Sequence, residues 1–314
     1  MTLAEPSFAD RDGSIWMDGE LVPWREATTH VLTHTLHYGV GVFEGVRAYS
    51  TQEGPQIFRL TDHTKRFLDS AKIMRMELPY SFDELCEAQR EVFRASKLDE
   101  GYIRPLAFYG SEAMGLRAQG LSVHVSIASW PWPSYMDPVL QERGLNVQTS
   151  SYTRHHVNIS MCKAKAVGHY INSILALSEA NDGGYDEALM LDNEGYVAEG
   201  TGENIFLVKS GVIHTPELTS CLAGITRDTV MVFARELGFD VIERRITRDE
   251  VYIADEAFFT GTAAEVLPIS QLDGRKIGTG TRGPVTEKFQ SMYLEEVHGR
   301  SSGHPEWRTP VKKD

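Results

Sequence analysis

The 314-residue sequence has few of the features that direct a protein to an oxidising compartment or a membrane. Its three cysteines, Cys86, Cys162 and Cys221, form no C-x-x-C pair, so we expect reduced thiols and a cytoplasmic location. No apolar run approaches the roughly 18 residues that a membrane-spanning helix needs. The first residues are acidic and also lack the apolar stretch of a signal peptide.

Positive charge is scarce as well. Lys and Arg number 31 against 44 Asp and Glu, which gives a formal net charge of −13 at pH 7 and a pI near 5.3. Nucleic acids and anionic membrane surfaces attract basic faces, so neither is an expected partner. An apolar content of 41% is ordinary for a globular chain. Small molecules are therefore the expected ligands.

Strand and helix patterns mix throughout the chain, with one interruption. Three prolines within residues 130–138 exclude regular structure there. We therefore expect a small N-terminal α/β domain at 1–128, an interdomain loop at 129–138 and a large C-terminal domain at 139–314. The polar tail from Ser301 is expected to be loosely held.

Several local patterns predict individual elements. Asp18-Gly19 predicts a hairpin turn, and Ser81 with Glu84 has the spacing of a capping box. Residues 256–269 read as strand, turn and strand. A further helix is expected to begin at Thr226 as its cap, with an inner stripe at Val230, Phe233, Ala234 and Leu237.

The glycine-rich stretch HYGVGVFEG does not fit a nucleotide-binding loop. A dinucleotide fingerprint would need a third glycine where Glu44 stands. Taken alone, these glycines are most simply explained by tight packing.

Four other stretches suggest chemistry when they are considered together. Lys163 and Lys165 precede a run of small residues, and LAGITRD has a glycine before a helix start, where phosphate binds readily. VAEGTGEN places Glu199 beside glycines, and TGTAAEV offers a small-residue turn for a carboxylate. Each also has an ordinary explanation as a surface charge, cap or turn. Together they supply what pyridoxal phosphate (PLP) needs: a lysine, an acid for the pyridine nitrogen and a phosphate anchor.

The sequence resembles the class IV aminotransferases, PLP enzymes of fold type IV, and within them most closely the branched-chain amino-acid aminotransferases. Seven stretches carry the resemblance in the family's order: HYGVGVFEGVRAY, IFRLTDHTKRF, YIRPL, KAVGHYINSILA, YVAEGTGENIF, GITRD and FFTGTAAEVLPI. It implies a two-domain α+β fold, with a small α/β domain and a larger mixed domain containing a strand-rich pseudo-barrel.

The resemblance implies PLP as cofactor, no metal ion, and Lys165 rather than Lys163 as the catalytic residue. The cofactor-binding residues that it implies are Arg66, Lys165, Tyr170, Glu199, Leu222, Ile225, Thr226 and Thr262. Within this set, Glu199 would keep the pyridine nitrogen protonated, and Tyr170 would bind the phenolic oxygen.

The resemblance also implies reversible, ping-pong transfer of the amino group of L-Leu, L-Ile or L-Val to 2-oxoglutarate. The implied substrate-binding residues are Tyr38, Phe43, Arg47, Tyr102, Arg104, Trp132, Tyr135, Thr262 and Ala263. In the family Tyr38 comes from the partner subunit, so a homodimer or a higher homo-oligomer is expected.

Alternatives within the same fold are a D-amino-acid aminotransferase and aminodeoxychorismate lyase, against which Arg47 and Arg104 count. A non-catalytic binding protein is a further alternative, opposed by the presence of Lys165, Glu199 and Arg66. The chain departs from the family at His169, where an asparagine is frequent before the tyrosine.

Overall fold

The computed structural model describes residues 7–132 and 138–312. The strands in these ranges are β1 Ser14–Met17, β2 Glu20–Pro23, β3 Gly41–Phe43, β4 Val46–Thr51, β5 Gly54–Phe58, β6 Gly101–Tyr109, β7 Val123–Trp130, β8 Leu145–Thr149, β9 Glu187–Leu191, β10 Val197–Glu199, β11 Asn204–Lys209, β12 Val212–Thr215, β13 Val241–Glu243, β14 Glu256–Gly261, β15 Glu265–Leu272, β16 Arg275–Lys276 and β17 Arg308–Pro310. The α-helices are α1 His34–Tyr38, α2 Leu60–Ile73, α3 Phe82–Ser96, α4 Pro138–Arg143, α5 Val157–Ser160, α6 Tyr170–Asp182, α7 Ile225–Glu236, α8 Arg248–Tyr252 and α9 Pro284–Val297.

The chain forms two compact units. The first unit comprises Met1–Pro133, Ala164–Gly168 and His304–Asp314, and the second comprises Ser134–Lys163 and His169–Gly303. The two short segments in the first unit lie within the range expected for the C-terminal domain. Mixed helices and strands occur in the described parts of both units, in agreement with the predicted α+β class.

The first unit is built on an antiparallel sheet. Its described strands run β17-β5-β4-β6-β7-β1-β2, and β3 pairs with β6. The predicted hairpin joins β1 to β2, with Asp18 and Gly19 both at positive φ. Helix α2 buries Phe67 and Ala71, and α3 begins with the predicted capping box, in which Ser81 and Glu84 satisfy each other's backbone amides.

The second unit is built on a mixed sheet. Its described strands run β10-β9-β8-β15-β14-β11-β12-β13, and β16 pairs with β15. The predicted strand-turn-strand is the β14–β15 hairpin, in which Gly261 pairs with Glu265 around a three-residue turn. Because residues of β11 pair directly with β14, the side chains of Asn204 and Thr260 lie on one face of this sheet.

Two expectations about local structure are wrong. Gly224, not Thr226, is the N-cap of α7, so Thr226 lies inside the first turn, and Leu237 is the C-cap rather than a helical core residue. The tail is not loosely held, because β17 pairs with β5 and the Arg59 amide donates to the Trp307 carbonyl at 2.6 Å. The charged and proline-containing tail has no local strand pattern. Its strand, β17, forms by pairing with β5, which is distant in the sequence.

Across residues 7–132 and 138–312, no helix combines the length and the apolar character needed to cross a bilayer. Strand β7 extends to Trp130, two residues into the expected interdomain loop. Residues 133–137 of that loop, with the predicted site residue Tyr135, lie outside the described residues.

Candidate active site

The predicted site residues fall into two groups, one in each unit. The first group consists of Tyr38, Phe43, Arg47, Arg66, Tyr102, Arg104, Trp132 and Lys165. The second group consists of Tyr170, Glu199, Leu222, Ile225, Thr226, Thr262 and Ala263. Each group is described here by itself.

In the first group, Lys165 is held through its backbone. Its N–H donates to Ser70 Oγ at 3.0 Å, and its carbonyl accepts the Phe43 N–H at 3.0 Å. An isolated antiparallel bridge joins Val42 to Ala166 beside it. The Lys165 Nζ lies 5.0 Å from the centre of the Phe43 ring. The segment that carries this lysine is therefore fixed against β3, while the side chain extends over an aromatic face.

Arg66 projects from α2 and pairs with a buried carboxylate. Its Nε lies 2.6 Å from Glu44 Oε1 and its second terminal nitrogen 2.9 Å from Glu44 Oε2. Glu44 is fully buried, and His63 Nδ1 lies 2.7 Å from the same carboxylate. This arrangement gives the first unit one strongly held cation, of the kind that binds phosphate.

Arg104 lies among aromatic rings. Its guanidinium carbon is 4.7 Å from the centre of the Phe43 ring and 5.2 Å from that of Tyr102, whose hydroxyl accepts a hydrogen bond from it at 3.2 Å. The Tyr102 ring lies 5.1 Å from that of Trp132. The Nε of Arg104 is buried without a hydrogen-bond partner among the described residues, so a donor is left for a ligand. Predicted residues Phe43, Tyr102, Arg104 and Trp132 are thus brought together.

The close approach of Tyr102 explains one glycine of the HYGVGVFEG stretch. A Cβ on Gly45 would lie 1.8 Å from the Tyr102 hydroxyl oxygen, so only glycine leaves room for that hydroxyl to reach Arg104.

Two predicted residues of the first unit have other contacts. Arg47 is buried, pairs with Glu100 at 2.9 Å and stacks 4.7 Å from the centre of the Tyr49 ring. Tyr38 is 38% exposed, and its hydroxyl accepts the Gly115 N–H at 3.0 Å. Tyr38 thereby holds the loop after β6 at the protein surface.

In the second group, Glu199 ends β10 as a buried carboxylate that is 6% exposed. Arg154 Nε lies 2.7 Å from Glu199 Oε1, and the Leu222 N–H donates to Oε2 at 3.2 Å. Asn204 donates to the same oxygen at 3.4 Å and to the Leu222 carbonyl at 3.0 Å. A buried anion is stable only when it is paired and hydrogen-bonded in this way.

The first turn of α7 carries Ile225 and Thr226. The N-cap, Gly224, has no side chain to cap the helix, so the turn begins with backbone N–H groups that have no acceptor within the helix. A Cβ on Gly224 would lie 1.9 Å from Asn204 Oδ1. The packing of Asn204 therefore requires a glycine at this position. Because glycine cannot cap the helix with a side chain, the start of α7 is suited to bind an anion.

The remaining predicted residues occupy ends and turns of the second unit. Thr262 and Ala263 lie in the turn between β14 and β15, which closes with Glu265 at a positive φ of 59°. Tyr170 is the first residue of α6 and is partly buried.

Lys163 is not merely a solvated surface charge. It is exposed, but its ammonium donates to the backbone carbonyls of Leu218 and Cys221, the latter at 3.0 Å. Lys163 thus anchors the loop that leads to Leu222.

Two titratable groups of the second unit are shifted toward their neutral forms. Burial, with the charges of Arg154 and His169, lowers the pKa of His155 to about 3, and burial raises the pKa of Cys221 to about 12. The ring of His155 lies 4.5 Å from that of His169. The described ranges contain no group of three or more His, Cys, Asp or Glu that could hold a metal ion.

The residues that hold the predicted ones were not predicted from the sequence. These are Glu44, His63, Ser70, Arg154 and Asn204. In the sequence Glu44 shows only as a break in a glycine pattern, and nothing in the pattern around Arg154 pairs it with Glu199. One signal is present for His63 and Ser70, since both stand three or four positions from Arg66, a spacing that places them on one face of a helix.

Comparisons with known proteins show which family the chain resembles. Residues 41–272 match the family described as Amino-transferase class IV. A branched-chain-amino-acid aminotransferase from Pseudomonas aeruginosa is 66% identical over 98% of this chain and 100% of its own length. A branched-chain amino acid aminotransferase from T.th., crystallised with pyridoxamine 5'-phosphate, has a TM-score of 0.94 and 50% identity, covering 96% of this chain and 99% of that one. The same T.th. enzyme in complex with N-(5'-phosphopyridoxyl)-L-glutamate has a TM-score of 0.92 and 49% identity over the same shares.

The resemblance and the fold type IV architecture expected from the sequence are confirmed by these matches. The chain belongs to the class IV aminotransferase family.

Proposed function

We propose that the chain is a PLP-dependent transaminase that moves the amino group reversibly between L-leucine, L-isoleucine or L-valine and 2-oxoglutarate. The branched-chain aminotransferases that it resembles over nearly all of its length support this reaction. The structural observation that carries the proposal is Glu199, a buried carboxylate held by Arg154. A fixed, buried anion is what a protonated pyridine nitrogen needs as its partner.

The residues present fit PLP in the kind of groups they offer. Arg66 and the start of α7 suit a phosphate, and Glu199 suits a pyridinium. Thr260 adds an unsatisfied group, because it is 1% exposed and its hydroxyl has no hydrogen-bond partner among the described residues. Thr260 pairs with Asn204 across the sheet, so its hydroxyl lies on the same face of the sheet as the Asn204 side chain, which donates to Glu199. A bound ligand would satisfy a hydroxyl left in this way.

We assign the cofactor to residues of both groups. Lys165 would hold it covalently, Arg66 with the Ile225 and Thr226 amides would hold its phosphate, and Leu222 would pack on its ring. Tyr170 would bind its phenolic oxygen, and Thr262 would serve the phosphate and the substrate carboxylate. When bound, the cofactor provides a ring that accepts the electron pair left when the substrate Cα–H bond breaks.

The chain's own residues then act on protons and charge. With the cofactor bound, the Lys165 amine would take the proton from the substrate Cα as a general base and give it up again as a general acid. Glu199 keeps the pyridine nitrogen protonated, and Arg154 maintains the negative charge of Glu199 at the buried position.

Substrate selection is assigned mainly to the aromatic group around Arg104. An apolar side chain of leucine can pack on Phe43, Tyr102 and Trp132, while the side-chain carboxylate of glutamate can pair with Arg104. The glutamate adduct bound by the T.th. relative supports a site that accepts the acidic substrate. Tyr38, Arg47, Tyr135, Thr262 and Ala263 complete the proposed substrate site.

The proposal includes a homodimer in the cytoplasm. Ile171, Ile174 and Leu175 are 65%, 62% and 43% exposed and follow the spacing of one face of α6. An apolar helix face of this kind is typical of a surface that another subunit covers. The cysteines are free thiols, as expected in a reducing compartment.

The reaction is tested by supplying the PLP-loaded protein with 2-oxoglutarate and a panel of donors. L-leucine, L-isoleucine and L-valine should each yield glutamate, whereas D-alanine and aminodeoxychorismate should not react. Turnover of only the last two would replace this function by one of the alternatives within the same fold.

The catalytic lysine is tested in the same assay. Lys165→Ala should lower turnover by at least about 100-fold, the low end of the contribution of a proton-transferring side chain. Lys163→Ala is the matched control and should retain most activity, because the Lys163 ammonium donates to the backbone carbonyls of Leu218 and Cys221. Borohydride reduction followed by peptide mapping should find the cofactor on Lys165, and a label on Lys163 would overturn the assignment.

A further inference from the structure

Glu44 is a buried carboxylate bound to Arg66 of the first group, and the proposed reaction gives it no task. It is 0% exposed. Its two oxygens take the Nε and one terminal nitrogen of Arg66 at 2.6 and 2.9 Å, a side-on, two-point pair. Pairs of this geometry fix the plane of the guanidinium as well as its position.

Glu44 is itself fixed from other directions. The Gly45 N–H donates to it at 3.2 Å, and His63 Nδ1 donates at 2.7 Å from a side chain that is 2% exposed. Burial would raise the pKa of the Glu44 carboxyl group, but Arg66 and His63 lower it overall, so Glu44 is an anion. Burial lowers the pKa of His63, so His63 is a neutral donor. The cluster therefore contains one negative and one positive charge.

The face of α2 that carries this cluster also reaches the Lys165 segment. His63, Arg66 and Ser70 are spaced three and four residues apart on α2 and so lie on one face. Ser70 accepts the Lys165 N–H at 3.0 Å. One rigid helix face thus sets both the arginine and the backbone of the lysine.

We propose that Glu44 is a positioning residue that orients Arg66 toward the phosphate of the cofactor, and that His63 fixes Glu44 for this purpose. The inference rests on the proposed function. A guanidinium has five N–H donors, and Glu44 engages it from the side through two nitrogens, which turns the end of the group away from Glu44. An arginine already held in one orientation loses less side-chain entropy when it binds an anion.

The charge of Glu44 acts in the opposite direction. A carboxylate near a phosphate repels it, so removing that charge would by itself strengthen phosphate binding. The sign of the change in PLP affinity therefore shows which effect of Glu44 dominates. If Glu44 acts by orienting Arg66, removing its charge should weaken PLP binding.

The test titrates the cofactor-free protein with PLP and with pyridoxal, which lacks the phosphate, and follows tryptophan fluorescence. For Glu44→Gln the Kd for PLP should rise about 10- to 100-fold, by analogy with the loss of a residue that orients a metal-binding side chain. The Kd for pyridoxal should stay at the wild-type value. Asp69→Asn is the matched control on the same helix, since Asp69 is exposed there and its loss should leave both constants unchanged.

His63→Phe gives a second test, because it keeps a buried ring and removes only the donor to Glu44. It should weaken PLP in the same selective way but less, and it decides the question if Glu44→Gln does not fold. Equal weakening of PLP and pyridoxal would reduce Glu44 to a structural role, and tighter PLP binding would make it a competitor of the phosphate. Either result overturns the inference. A wild-type protein that binds no PLP would instead refute the proposed function.

Discussion

At the scale of single residues, the two groups share one device, a buried carboxylate held by an arginine. Glu199 pairs with Arg154, and Glu44 pairs with Arg66. Removing one member of such a pair leaves an uncompensated charge in a poorly solvated place, which costs several kcal/mol. The fold can therefore keep these charges only by keeping both partners, and it gains fixed charges that a charged ligand can use.

Arg104 is the residue on which dual substrate recognition depends. Arg104→Ala should weaken the binding of glutamate and 2-oxoglutarate about 10- to 150-fold, since a hydrogen bond to a charged group contributes about 1.5–3 kcal/mol. Leucine and its oxo acid should be affected much less, because an apolar side chain needs only the rings around Arg104. Single-turnover mixing of the pyridoxal form with glutamate or with leucine measures each half-reaction separately.

The control for this prediction is Arg59→Ala, which removes an arginine that stacks over Trp307 in the same unit. It should change the two half-reactions equally if at all. Equal losses for glutamate and leucine in Arg104→Ala would mean that Arg104 binds the carboxylate common to all substrates, and dual recognition by this residue would be excluded.

The partners of these paired residues could not be predicted from the sequence. Family motifs predict Arg66 and Glu199 at the site, but they do not predict the partners of these residues. Glu44 stands 22 residues from Arg66, so no helical or strand period relates the two. Partners of this kind are set by the packing of separate elements and are not visible in a local pattern.

At the scale of elements, the C-terminal tail completes the sheet of the first unit. Strand β17 adds to the edge of β5. Trp307 contacts Phe58 at 6.0 Å between ring centres, stacks on His304 at 3.7 Å and lies under Arg59. Arg59 has a positive φ of 53° and is the N-cap of α2, the helix that carries Arg66. The tail therefore supports the start of that helix.

Trp307→Ala should test this support. Losing a partly buried indole and its contacts should destabilise the protein by about 2 kcal/mol, less than the ~3–5 kcal/mol of a fully buried aromatic truncation. The thermal midpoint should fall by several degrees, and PLP affinity should fall with it because α2 positions Arg66. Arg300→Ala, which breaks an exposed pair with Glu295, is the control and should change neither quantity. An unchanged midpoint in Trp307→Ala would show that the tail only covers the edge of the sheet.

Elements with a strong local signal were predicted well, and the others were not. The hairpin at Asp18-Gly19, the capping box at Ser81 and the β14–β15 hairpin depend on residues a few positions apart. The start of α7 depends on Asn204, which excludes any side chain at Gly224. The tail likewise depends on β5. Both errors arose because a contact distant in the chain overrides local preference.

At the scale of the whole molecule, a short segment determines where the lysine is placed. Residues 164–168 belong to the first unit, although the chain before and after them belongs to the second. Lys165 is thus tied to β3 and α2, whereas Lys163, two positions earlier, is tied to the loop at 218–221. Two neighbouring lysines consequently have different surroundings, and this separation supports the assignment of chemistry to one of them.

The proposed homodimer can be tested at the exposed apolar face of α6, formed by Ile171, Ile174 and Leu175. Ile174→Asp should convert the dimer to a monomer of 35.2 kDa, because an unpaired charge in an apolar interface costs several kcal/mol. Activity should fall together with the mass, since Tyr38 is proposed to serve the site of the partner.

Ile253→Asp is the control, as Ile253 is 65% exposed against 62% for Ile174 but lies at the end of α8. Light scattering over a range of protein concentrations, with activity measured on the same samples, tests both effects. A wild-type protein that is monomeric and fully active at every concentration would exclude the dimer and the role given to Tyr38.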